Sequence, residues 1–200
     1  MATIYQNSYI ALAATKSRNG SEGCFSSATP MDQDHPLTPP LAEMSRGWVY
    51  QEKLLAPRVL HFCTKELVWE CQEGDDCECN NYRSAPMKEL EKVKSGEVLE
   101  AWALPKRQHQ ARTPVTLLWH QMVQRYSCLA LTEQSDRLPA IAGLAREIGR
   151  CKMGKYLASL WEDSLYDDLL WEVDDRCAEK LKTYRAPSWS WASVNGSVRF

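Results

Sequence analysis

The hydrophobic period of this chain changes from two to helical after residue 114, and that change limits the folds open to it. Between residues 57 and 71, Val59, His61 and Cys63 alternate with Leu60 and Phe62, and Leu67, Trp69 and Cys71 alternate with Val68 and Glu70. Period two is the pattern of a strand, and the polar Thr64-Lys65-Glu66 between the runs predicts a β-hairpin opened by Pro57. Both faces carry apolar groups, so the pair is expected to be largely covered. From residue 115 the spacing becomes helical. Val115, Trp119, Met122 and Tyr126 fall on one helix face, as do Leu138, Ile141, Leu144, Ala145 and Ile148. Ser135 or Asp136 would cap the second helix, with Pro139 in its first turn and Gly149 as its stop. Leu157, Trp161, Leu165 and Leu169 suggest a third helical stripe. The expected class is α+β, short β-hairpins packed with amphipathic helices.

The rest of the chain fits around these elements. Residues 1–14 read as the end of a helix and a short buried strand, Tyr9 to Ala14. Residues 15–45 read as loop, because Pro30, Pro36, Pro39 and Pro40 fall within eleven residues and exclude a long regular element. Residues 72–114 read as a mobile insertion, acidic at Glu73, Asp75, Asp76 and Glu78 and basic at Lys106, Arg107 and Arg112, with a short helix around 87–94. Near the end, Trp189 and Trp191 alternate with Ser188 and Ser190 as a strand packed under the helices. Asn195-Gly196 signals a type I′ turn, with Val198 and Phe200 on the return strand. The segments are 1–25, 26–71, 72–114 and 115–200.

Bulk properties exclude several functions. A net charge of −2, from 24 basic and 26 acidic side chains, gives no electrostatic case for nucleic acid. No run reaches the ~18 apolar residues of a membrane span, and the N-terminal stretch does not read as a signal peptide. A cytoplasmic location is expected, where the eight cysteines would be mostly reduced. Cys63, Cys71 and Cys128 sit within apolar runs, as small hydrophobes do.

Short motifs in a fixed order carry more. They are Ile4-Tyr5 with Ile10-Ala11-Leu12-Ala13-Ala14, then Ser21-Glu22-Gly23-Cys24-Phe25, then Arg46-Gly47-Trp48 with Gln51-Glu52, then Trp69-Glu70-Cys71. Asp136-Arg137-Leu138-Pro139-Ala140, Tyr156 to Trp161, and Tyr184-Arg185-Ala186-Pro187-Ser188-Trp189-Ser190-Trp191-Ala192-Ser193 complete the set. Together they resemble the fungal heterokaryon-incompatibility (HET) domain proteins, from the last part of that domain into the region after it. The match runs over residues 1–200 and is weakest at 72–114.

The resemblance implies a role in non-self recognition and regulated cell death after fusion of incompatible cells. This segment would be the structural and regulatory part, or a partner of related HET-family chains. The family's "YVALSYCWG"-like and "WIDALCINQ"-like blocks are not found. The HET domain is thought to resemble the TIR fold, some members of which cleave nicotinamide dinucleotides. Residues for such a site would precede Met1, so that hydrolase activity is an alternative for a longer chain and attaches to no residue here. On this reading the fold is incomplete at its N-terminal side, and an exposed sheet edge and apolar face are expected beside residues 9–14.

Several residues merit weighing as sites. Arg46 and Glu52 can pair or face a cleft, with Gly47 giving a tight backbone; the simpler reading is a helix start with Trp48 as core anchor and Gln51 and Glu52 bonded to backbone. Glu70 can be a buried acid with a raised pKa, but pairing with Arg46, Arg58 or Arg185 is favoured. Cys71, Cys77 and Cys79 with His61 or Cys63 would be a zinc or thiol site of an interaction module. Their Cys-x5-Cys and Cys-x-Cys spacings depart from the usual knuckle. Cys24 or Ser188, with His35, His61, His109 or His120, would be needed for nucleophilic catalysis, and no nucleophile elbow surrounds either. Trp189 and Trp191 form an aromatic surface or, preferably, core. No cofactor is called for.

Overall fold

The structure, a computed structural model, describes residues 2–17, 21–24, 46–63, 66–71, 74–78, 114–151, 153–174, 179–181 and 183–200. It contains both helices and small sheets, an α+β fold. The chain groups into two units, Met1–Ser45 with Glu52–Lys92, and Arg46–Gln51 with Val93–Phe200. The proline-rich loop 25–45, the helix expected near 87–94, and Cys79 lie outside the described residues.

The first unit holds a four-stranded sheet. Its strands are β1 (Ala11–Ala13), β2 (Arg58–Phe62), β3 (Leu67–Cys71) and β4 (Asp75–Cys77), in that spatial order. The hairpin read from period two is there: β2 and β3 are antiparallel, with Val59 opposite Glu70 and His61 opposite Val68. Its faces are unequal. Val59, His61, Val68 and Glu70 are buried, whereas Leu60, Phe62, Leu67, Trp69 and Cys71 are half-buried. The expectation of two covered faces therefore holds for one.

Two further expectations change. Asp75–Cys77, read as the start of an irregular insertion, is a strand on β3, because the backbone of three residues can complete a ladder whatever its side chains. Of the strand expected over residues 9–14, only Ala11–Ala13 forms, and it is peripheral rather than buried. It runs parallel to β2 at the sheet edge, and Leu12 is 65% exposed. The short helix α1 (Ala2–Gln6) precedes it and exposes Ile4. The exposed edge and apolar residues predicted beside 9–14 are present, with Tyr9 81% exposed.

The second unit is built on α3 (Pro114–Ser127); α2 (Gly47–Leu55) supplies its first residues to this unit and its last ones to the other. Proline at the first position of α3 costs no hydrogen bond. The predicted stripe is the core: Val115, Trp119, Met122 and Tyr126 are fully buried. Trp161 and Tyr156 meet the edge of Trp119, and Trp191 meets Tyr126 edge-on at 6.1 Å between ring centroids. Ile141, Leu144 and Ile148 add the stripe of α4 (Ala142–Gly149).

That helix starts later than predicted. Ser135 and Asp136 lie in a separate 3-10 turn, Gln134–Arg137, and the residue before α4 is Ile141, with no side-chain cap. Gly149 does end the helix, for a packing reason: a Cβ there would lie 3.0 Å from the indole of Trp161.

The third helical stripe is absent. Tyr156–Leu157 (β5) and Leu160–Trp161 (β6) pair as a hairpin, followed by a 3-10 turn, Glu162–Ser164, and one helical turn, α5 (Leu165–Asp168). Between the strands, Ala158 and Ser159 have φ of +46° and +75°. Two such residues make a primed turn, at roughly 1–2 kcal/mol each for a non-glycine. Tertiary bonds hold it: Trp119 Nε1 donates to Ser159 O and Ser190 Oγ to Ala158 O.

The C-terminal strand is also different. Residues 188–190 turn, and Trp191–Ser193 is a 3-10 turn with Ser190 as its cap. Trp191 is fully buried and Trp189 is 43% exposed, so the two indoles do not share a strand face. Val194–Asn195 pairs with Glu179–Lys180, whereas Val198–Arg199 pairs with Glu172–Val173. Asn195-Gly196 thus links two strands with different partners, and Gly196 supplies a φ of +138° that other residues avoid.

Candidate functional site

In the first unit, strand alternation brings His61 and Glu70 to the buried face of the hairpin, and the last turn of α2 brings Lys53. One carboxylate oxygen, Glu70 Oε2, lies 2.8 Å from Lys53 Nζ and 3.0 Å from His61 Nε2. An ionised carboxylate only accepts, so both nitrogens donate to it. His61 Nδ1 is 3.0 Å from the hydroxyl of Thr15. Burial alone would push the Glu70 carboxyl up, but the bond from His61 and the Lys53 charge more than offset it and hold the group at about 2.

This overturns two expectations. Glu70 pairs with Lys53 and His61 rather than with Arg46, Arg58 or Arg185, because the lysine shares its face of the sheet. Its pKa is lowered, not raised. A carboxylate that stays charged throughout the neutral range is ill suited to general acid–base work. The neighbouring Trp69, on the opposite face, is half-buried beside Leu60 and Asp76.

The Arg46–Glu52 segment divides its side chains. Arg46 is exposed and held through a backbone bridge to Ala130. Gly47 packs closely: a Cβ would sit 2.8 Å from the Leu131 side chain and 3.1 Å from Tyr126. Trp48 Nε1 donates to Asp136 Oδ2 at 2.9 Å. Gln51 accepts the backbone N–H of Gly143 at the start of α4. Glu52 bonds the hydroxyl of Tyr5, which burial and then this carboxylate push up to about 12.

In the Tyr184–Ser193 motif, Arg185 is the hub. It donates to the carbonyls of Ala192 and Val194 and to the side-chain oxygens of Gln134 and Asn195. Trp189 accepts a bond from Trp171 Nε1 through its backbone carbonyl.

A second buried acid–imidazole pair was not singled out. Asp168, fully buried, accepts from His120 Nε2 at 2.6 Å, from Ser164 Oγ at 3.0 Å and from the backbone N–H of Trp161 at 2.6 Å. His120 stacks on Phe200 at 4.0 Å, and its Nδ1 is buried with no bond. Ser164 gives its hydrogen to the acid and not to the histidine, so the three are not ordered as a nucleophile, base and orienting acid.

Of the proposed zinc ligands, Cys71 and Cys77 do not converge, and Cys79 lies outside the described residues. Cys77 is opposite Val68 and therefore on its face, buried with Val68 and Cys63, whereas Cys71 projects from the other face and bonds Gly74 O. His61 spends both nitrogens on Glu70 and Thr15. No metal-binding group of three or more His, Cys, Asp or Glu exists among the described residues. Cys63 is buried as expected, but Cys71 is half-buried and Cys128 exposed.

Sequence reasoning missed Lys53 and Asp168; it weighed His120 only as a partner for a nucleophile and named Arg137 only within a motif. For Lys53 there was a signal, a lysine leading directly into Leu54-Leu55-Ala56. For Asp168, between an acidic and an apolar pair, there was none. No protein-family model, curated protein or solved structure matches the chain. The HET-family resemblance therefore rests on the motifs themselves.

Proposed function

We propose that this chain is a HET-family segment that serves as a structural and regulatory part in non-self recognition and regulated cell death, in the cytoplasm and without catalysis of its own. One observation carries the reading. The polar side chains of the family-like motifs are used to tie this chain to itself: Trp48 to Asp136, Gln51 to Gly143, Glu70 to Lys53 and His61, Arg185 to four oxygens, and Ser190 to Ala158. Residues that define a motif by holding a fold leave recognition to other surfaces. Ile4, Tyr9 and Leu12, exposed beside the edge strand of the sheet, are where a related HET-family chain would pack. No helix among the described residues is long and apolar enough to cross a membrane.

The test pairs this chain with a full-length HET-domain protein in analytical ultracentrifugation. A complex is expected, weakened about tenfold or more, which is 1.4 kcal/mol, by Tyr9→Lys with Leu12→Lys at unchanged circular dichroism. The reading fails if the two chains sediment separately at all concentrations and co-expression leaves cell death in fused fungal cells unchanged.

A further inference from the structure

Asn195-Gly196 joins two strand pairs. Val194–Asn195 pairs with Glu179–Lys180, and after Gly196 and Ser197 the chain pairs again, Val198–Arg199 with Glu172–Val173. A type I′ turn would need a left-handed backbone at both Asn195 and Gly196. Of the two, Gly196 alone has a positive φ. The turn therefore accounts for the glycine and not for the asparagine. What the asparagine side chain does is bond Arg185: Nη1 of that guanidinium donates to Asn195 Oδ1 at 2.9 Å, and Nη2 donates to Val194 O at 2.7 Å. At the glycine, Arg137 Nη2 donates to Gly196 O at 3.0 Å.

This arrangement suits one reaction. An Asn-Gly pair loses ammonia when the glycine nitrogen attacks the asparagine Cγ, and glycine, lacking a side chain, hinders that attack least. Arginine only donates, so Asn195 turns Oδ1 to Arg185 and Nδ2 away from it. Neither Nδ2, the leaving nitrogen, nor the N–H of Gly196, the attacking one, forms a hydrogen bond among the described residues. Both residues are half-buried, so water reaches them. The Arg185 bond falls on the oxygen where negative charge gathers as the tetrahedral centre forms, the placement that stabilises such a centre. A structural tie alone would be stronger to aspartate, whose charge shortens and strengthens the bond. The chain carries the amide of that residue instead.

We propose that Asn195-Gly196 is a site of self-modification, which deamidates through a succinimide that the Arg185 bond promotes, and that the product is a one-way regulatory mark on the joint between the two strand pairs. Gly196 N gives its proton to water and bonds Asn195 Cγ. The Cγ–Nδ2 bond breaks, and ammonia leaves with a proton taken from water. Water then opens the ring at either carbonyl, to aspartate or to isoaspartate, with no change of oxidation state. Arg185 keeps its place as a tie throughout, and no side chain moves a proton. Aspartate leaves the backbone as it was and adds a charge facing Arg185. Isoaspartate lengthens the backbone by one methylene at the joint, which shifts Val198–Arg199 against Glu172–Val173. The site is independent of the family reading, and neither falls with the other.

The test incubates the full chain in neutral buffer made with heavy-oxygen water and follows Asn195 by peptide mapping and mass spectrometry. A synthetic peptide of residues 192–199, with the same Asn-Gly pair and neither Arg137 nor Arg185, is incubated beside it. The folded chain should deamidate at Asn195 about tenfold faster than the peptide, with heavy oxygen in both aspartate and isoaspartate. Backbone restraint sets this below the roughly 10²–10³ of a full oxyanion donor. Arg185→Lys keeps the charge and loses the fork, and should slow Asn195 about tenfold. Asn19-Gly20-Ser21, the same three residue types elsewhere in the chain, should keep its rate in that variant. Because Arg185 also ties down carbonyls, the peptide comparison, which needs no substitution, keeps the test secure. The isoaspartate form, separated by ion exchange, should lose amide protection in Glu172–Val173 and Val198–Arg199. The proposal is overturned if the folded chain deamidates at Asn195 no faster than the peptide, or if the isoaspartate form exchanges its amides as the parent chain does.

Discussion

In the sheet unit the most buried side chains include a lysine, a histidine and a glutamate, whereas in the helical unit they are Trp119, Met122, Tyr126, Ile141 and Trp191. Both exclude water, by different chemistry. The sheet unit has a small apolar cluster, Cys63, Val68 and Cys77, and places Lys53, His61 and Glu70 on the same face. Its cohesion depends on each charge keeping its partner. The helical unit buries large rings that meet edge to edge, and adds neutral bonds such as Trp119 Nε1 to Ser159 O and Tyr126 OH to Arg137 O. Its cohesion depends on volume. One region should therefore be sensitive to protons and charge deletion, the other to cavities.

The largest effect expected is from Trp191→Ala or Trp119→Ala, each costing about 3–5 kcal/mol through loss of area and an unfilled cavity, as read by urea denaturation. Glu70→Ala should cost about 3 kcal/mol or more, because Lys53 would stay buried without its counter-charge. Lys53→Met with Glu70→Leu should recover much of that loss, and a double variant as unstable as Glu70→Ala would break the contrast.

The pH dependence separates the regions further. Glu70 titrates at about 2 in the folded chain against an ordinary 4.5, so its contribution is complete above pH 4.5 and is lost as pH falls from there towards 2. The gap is worth on the order of 3 kcal/mol. Amide exchange corrected for intrinsic rates should show protection in β2 and β3 falling over that window, with protection in Pro114–Ser127 changing less. Gly149→Ala should cost roughly 1–2 kcal/mol by overpacking against Trp161. Trp189→Ala should cost least, about 1 kcal/mol, since that residue is 43% exposed and leaves no closed cavity.

Legibility followed the same division. The α3 stripe and the β2–β3 hairpin were readable because one face of each is buried, and burial imprints a period on sequence. The 157–169 region was misread because Leu157, Trp161, Leu165 and Leu169 carry helical spacing by coincidence. The turn between β5 and β6 is Ala158-Ser159, with no glycine or asparagine to announce a left-handed backbone. Tertiary bonds from Trp119 and Ser190 impose that turn, and no local reading contains them. Trp189 and Trp191 alternate like strand residues but flank a capped 3-10 turn. At the candidate sites, Glu70 stood out as a charge in an apolar strand. Its partner Lys53 lies 17 positions away, and Thr15, which bonds the other nitrogen of its partner His61, lies 46 positions from that histidine; a single sequence does not pair them.

The central claim is that the conspicuous polar residues hold the fold and perform no proton transfer. The most direct measurement is a carbon-13 NMR titration of the Glu70 carboxyl. A midpoint near 2, with no inflection between pH 5 and 8, is the predicted result. A midpoint between 6 and 7, where a working acid or base would sit, would contradict the account.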